Sequence, residues 1–92
     1  MTLAKRPFHE AFPSAERVSR EISLTVLDLL ESEHIPVTVA AMNLGISWET
    51  LQGRLNTTAL LVTDLEALAV MLDTRVSDIT RTAELALMEA TA

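Results

Sequence analysis

Val18, Ile22, Val26 and Leu29 or Leu30 recur at i, i+4, i+8 and i+11 or i+12, the spacing of one face of an α-helix. Ser14 offers an N-cap ahead of this run, and Glu16 puts a carboxylate in the first turn, where the helix dipole favours negative charge. Pro36 disfavours helical geometry at Ile35. The helix is therefore expected from about Ala15 to about Glu33. An amphipathic helix of this length needs other elements to cover its apolar face, and the rest of the chain supplies mostly more helix.

The short apolar run "VTVAAMNLG" ends at Gly45, the residue suited to a left-handed C-terminal position. Val37, Val39 and Val62 are β-branched, but no alternating run of useful length accompanies them, so helix and loop are expected there. Ser47 is placed to cap a third helix reaching about Leu55. "TDLE", Thr63 to Glu66, has capping-box spacing and predicts the start of a fourth helix, with Leu65, Leu68, Ala69 and Leu72 on its apolar face and an end near Asp73. A fifth helix is expected to open at Arg75–Ser77 and run over about 77–90. The expected fold is all-α, five helices in a single domain over 14–92, preceded by an arm at 1–13.

At 92 residues the chain is long enough for one small domain with a modest core. It has no cysteine, no apolar run approaching the ~18–20 residues that span a bilayer, and no continuous apolar segment near its start of the kind a secretory signal carries. A cytoplasmic protein is expected. The net charge of -6 is uneven. Residues 1–20 carry a net +2, residues 34–58 are neutral with only Arg54 and Glu49, and residues 57–92 carry -4. The acid thus lies largely in the C-terminal part, away from the neutral stretch 34–58.

The longer stretch from His34 to Ile79, "HIPVTVAAMNLGISWETLQGRLNTTALLVTDLEALAVMLDTRVSDI", resembles the helix-turn-helix domain of the lambda-repressor and Cro class, the XRE family. The resemblance lies in an ordered set: a short helix, a Leu-Gly-Ile-Ser turn, a second helix ending in Leu-Asn, a Leu-x-x-Leu-Ala helix and a Val-Ser-x-Ile start to the last one. It covers about half the chain closely, with the helix-turn-helix at about 37–56. It implies a lambda-repressor-like domain in which the helix after the turn enters the major groove of double-stranded DNA.

Carried over, Trp48, Glu49 and Gln52 face the groove, with Thr50 at the margin of the base contacts. Gln52 has the donor and acceptor to pair with adenine, and Glu49 accepts from a cytosine amine. Leu51 and Leu55 instead anchor the helix to the core with Leu44 and Ile46. Contacts to the DNA backbone are implied for Thr38, Ser47, Arg54, Asn56, Thr57 and Thr58. The chain departs from the family at Val37, where a glutamine often braces these contacts, and at Gly53, inside the recognition helix.

Several residues admit two readings. Trp48 either faces DNA or packs on Phe8 or Phe12. Lys5 and Arg6 either follow the minor groove as an arm or belong to a disordered terminus. Arg17 and Arg20 have carboxylates at helical spacing, Glu16 and Glu21 among them, and are read as surface ion pairs rather than phosphate contacts. Glu31 and His34 have half the spacing of a di-iron ligand set without the second half, so His34 is read as a C-terminal cap. No nucleophile–base set, phosphate loop, cofactor motif or metal motif is present, and no enzyme is expected.

The last helix carries Ile79, Ala83, Ala86 or Leu87 and Ala90 on one stripe and Leu85 and Met88 on another. Apolar residues on two faces need a second surface to bury them. A dimer interface through Ile79, Ala83, Leu85, Leu87 and Met88 is expected. The leading expectation is a dimeric, sequence-specific transcription regulator on a palindromic operator, a repressor or Cro-like protein of a phage or prophage. Two others stand beside it: an antitoxin of the same fold that also masks a toxin, and an interaction module or antirepressor whose helix-turn-helix no longer reads DNA.

Overall fold

A computed structural model describes residues 15–57 and 59–91. Five helices form among them and no strand: α1 Ala15–Ser32, α2 Val37–Leu44, α3 Trp48–Asn56, α4 Val62–Met71 and α5 Val76–Thr91. Val37 and Val39 lie in α2 and Val62 opens α4, because nothing beside them offers a ladder to pair with. Ser14, Phe8 and Phe12 lie outside the described residues.

Three helices end alike. At the end of α1 the Ile35 N–H donates to Leu30 and that of His34 to Glu31; at α2 Ile46 donates to Ala41 and Gly45 to Met42; at α4 Thr74 donates to Ala69 and Asp73 to Val70. Each is a Schellman motif, which satisfies terminal carbonyls by putting one residue in the left-handed region. Those residues are His34 at φ 56°, Gly45 at φ 74° and Asp73 at φ 53°. Only Gly45 avoids the Cβ clash of that region. The capping role expected of His34 is thus observed. α4 stops at Met71, two residues before Asp73.

One helix start differs from expectation, and that of α5 falls within its expected range, Arg75–Ser77. Thr63 is not the cap of α4. The helix begins at Val62 with Leu61 in the cap position, and the Asp64 carboxylate accepts the Leu61 N–H at 3.0 Å. The carboxylate half of a capping box is therefore made, two residues earlier than the Thr63–Glu66 pair implies. α5 begins at Val76, with the Arg75 carbonyl accepting from Asp78 and Ile79, so Ser77 lies inside the first turn.

α1 and α5 pack along each other, α3 packs on α1 and α4 on α5, and α2 packs against α3 and α4. The core is a single cluster built from Val26, Leu30, Ala40, Ala41, Leu51, Leu55, Leu65, Leu68, Ala69, Leu72 and Ile79. Ala40 and Ala41 are fully buried, and two small residues here let α2 approach α3 and α4 closely. Ile79, Ala83 and Leu87 are buried within the protomer. This corrects the expectation that they present a dimer surface, because the stripe lies where α1 covers it. Leu85 and Met88 are exposed. No helix among the described residues is long and apolar enough to cross a membrane.

Candidate functional site

α2, the Gly45–Ile46 turn and α3 form a compact corner. Gly45 turns the chain and Ile46 and Leu44 pack against the core, so Ser47 arrives at the start of α3 in an extended conformation. Its hydroxyl accepts the Thr50 N–H at 3.2 Å and lies 2.8 Å from the Thr50 hydroxyl. This is the N-cap expected of it. Leu51 and Leu55, one turn apart, are buried, so the axis and rotation of α3 are fixed.

The rotation leaves a defined outer face. Trp48 is half exposed, Glu49, Thr50, Gly53 and Asn56 are exposed, and Gln52 is half-buried. The residues carried over as base-reading, Trp48, Glu49, Thr50 and Gln52, therefore share the solvent side of one short helix with Asn56. The Gln52 amide donates weakly to Asn56 Oδ1 at 3.4 Å, which orders the two side chains along that face. Thr38 is exposed on the first turn of α2. The Thr57 hydroxyl donates to the Gly53 carbonyl at 2.6 Å, so its hydrogen is already engaged. Lys5, Arg6 and Thr58 lie outside the described residues.

Arg54 is placed differently from the open phosphate contact the resemblance implies. Its Nη1 donates to both Asp64 oxygens, at 3.0 and 2.9 Å. The Arg54 side chain is 29% exposed and that of Asp64 only 9%. The ion pair braces α3 against α4, and Asp64 at the same time holds the first turn of α4 through Leu61. Sequence pattern gives no sign of it, because the partners lie ten residues apart across a loop with no shared helical period.

The surface-pair reading of Arg20 also fails. Arg20 makes no ion pair and no side-chain hydrogen bond with the described residues, although Glu16 stands one turn before it. It lines an open cleft of about 350 Å³ with Glu16, Ser23, Leu24 and Leu27 of α1 and Leu55, Asn56 and Thr57 at the end of α3. The Ser23 hydroxyl, buried at the back of α1, bonds no other protein group among the described residues.

Among the described residues no three of His, Asp or Glu gather as a metal ion needs. The outer side of α3 presents an exposed indole, a carboxylate and amides. No protein-family model matches the chain, and no curated protein and no solved structure is significantly similar to it.

Proposed function

We propose that the protein is a sequence-specific DNA-binding transcription regulator, a repressor or Cro-like protein acting as a dimer on a palindromic operator. The observation that carries this reading is the outer face of α3. A Ser47-capped helix fixed by Leu51 and Leu55 displays Trp48, Glu49, Thr50 and Gln52 outward, as a helix in a major groove must. Gln52 reads adenine, Glu49 a cytosine amine, and Trp48 offers its apolar face to a thymine methyl or sugar edge. Repression follows from occupying the operator and excluding polymerase.

Dimerisation brings two such helices to half-sites about one helical turn apart. Because Ile79, Ala83 and Leu87 are used inside the protomer, the contact falls to the outer stripe of α5 marked by Leu85. Free positive charge is scarce, so log affinity should fall only shallowly with log salt, as expected for about four to six phosphate contacts per dimer.

A second reading is favoured by two observations: Arg54 is paired inward and Glu49 is exposed. A corner whose one outward charge is a carboxylate suits a protein partner, as in an antirepressor or an antitoxin that masks a toxin.

The deciding experiment is selection from a random duplex pool at low salt, run on the wild type and on Trp48→Ala/Gln52→Ala. Enrichment of a palindrome that the variant fails to enrich is the expected result. A folded wild type that enriches nothing sinks the DNA reading in favour of the protein partner.

A further inference from the structure

A polyanion meeting this helix-turn-helix must find its cation elsewhere in the fold. Between Val37 and Thr57 the charged residues are Glu49 and Arg54, and Arg54 is held by Asp64. The cleft between α1 and the end of α3 brings another cation to the same corner. Arg20 reaches it from α1, with five N–H donors and no partner among the described residues. Asn56 reaches it from α3; its Oδ1 accepts from Gln52, and its Nδ2 hydrogens are the donors it can offer. Leu24 and Leu27 supply an apolar wall.

We propose that Arg20 and Asn56 form a phosphodiester contact site in this cleft. A planar guanidinium and an amide match the two non-bridging oxygens of a phosphodiester, and the leucine wall suits the carbons of the adjoining sugar. The site belongs to the backbone rather than the bases: it strengthens binding to every sequence and fixes the register of α3. It rests on the DNA reading and adds to it an α1 residue that the sequence pattern assigned to a surface ion pair. Glu16 lines the same cleft and opposes it, since a carboxylate repels the phosphate that Arg20 attracts.

The two charges give a test with opposite signs. Glu16 and Arg20 are both exposed, so Arg20→Gln and Glu16→Gln should fold as the wild type does, which thermal melting checks. Affinity is then measured by fluorescence anisotropy against the selected operator and an unrelated duplex over a range of salt. Arg20→Gln should weaken binding to both duplexes by a similar factor, about tenfold, and reduce the salt slope by about one per protomer. Glu16→Gln should tighten binding to both.

If the wild type binds duplex and Arg20→Gln changes neither affinity nor slope, the site is overturned while the DNA reading stands. If the wild type binds no duplex, the DNA reading falls, and the site is decided by NMR titration of the full chain with inorganic phosphate at constant ionic strength. Shifts at Arg20 and Asn56 that Arg20→Gln abolishes then keep the site as one for a free phosphate group; their absence overturns it.

Discussion

Arg54 Nη1 spans from α3 to α4 and donates to both carboxylate oxygens of Asp64, which in turn holds the first turn of α4 through the Leu61 N–H. One carboxylate thus fixes both the tilt of α3 and the start of the following helix. Removing Arg54 leaves Asp64 buried with one hydrogen bond instead of three contacts. Arg54→Ala should cost about 2 kcal/mol, less than for a fully buried pair because the arginine is partly wet. Asp64→Ala should cost at least as much, since it also frees the cap. Urea unfolding of both singles and the double should show the double costing less than the sum; strict additivity would mean that the pair is not coupled.

Gly53 sits exposed in the middle of α3, and a Cβ built there meets nothing within 4 Å. The fold itself has no need of glycine at this position. Gly53→Ala should stabilise the protein by about 1 kcal/mol, read as a higher melting temperature. On the DNA reading the added methyl lies on the groove-facing side, so affinity should fall as stability rises. A variant that is more stable and binds unchanged would show that nothing approaches this face closely.

His34 and Asp73 occupy left-handed positions that a side chain disfavours. Replacing His34 with glycine removes the Cβ clash, which outweighs the added freedom of the unfolded chain, for a gain of about 0.5–1 kcal/mol. Asp73→Gly should gain less, because Asp tolerates this region better. Denaturant midpoints would measure both, and a loss at His34 would mean that its side chain makes a stabilising contact.

The buried Ser23 hydroxyl bonds no other protein group among the described residues. Ser23→Ala removes an unsatisfied polar atom and improves helix propensity, so it should stabilise α1 by about 1 kcal/mol. Thermal unfolding would test this. A destabilised variant would mean that the hydroxyl is satisfied in solution.

Leu85 is half exposed on the outer side of α5, whereas Leu87 is buried against the protomer. Leu85→Asp should leave the fold intact and shift the protein to a monomer in sedimentation velocity, with much weaker operator binding. Leu87→Asp should instead unfold the domain. A wild type that already sediments as a monomer at micromolar concentration would dispose of the dimer.

Elements determined within a few residues were legible in the sequence. The i, i+4 spacing from Val18 to Leu30 gives α1, Gly45 gives the turn, Ser47 gives the cap of α3, and the spacing of Leu51 and Leu55 identifies its buried side. Each depends on helical period, a single φ or one hydrogen bond to a near neighbour, and these are local. The start of α4 departs from the local pattern for a non-local reason. Thr63 and Glu66 have the spacing of a capping box, but Asp64 is drawn to the helix end by Arg54 from another helix.

The amino-acid sequence by itself therefore determined that this chain makes helices, where three of them turn, and which side of α3 is apolar. Only the tertiary structure decided which stripe of α5 is covered, that Arg54 faces Asp64, and that Arg20 stands in a cleft with Asn56 instead of pairing with Glu16. The physical reason is the range of the interactions. Helical period and capping act over about four residues along the chain, whereas burial and charge pairing depend on which helices lie side by side.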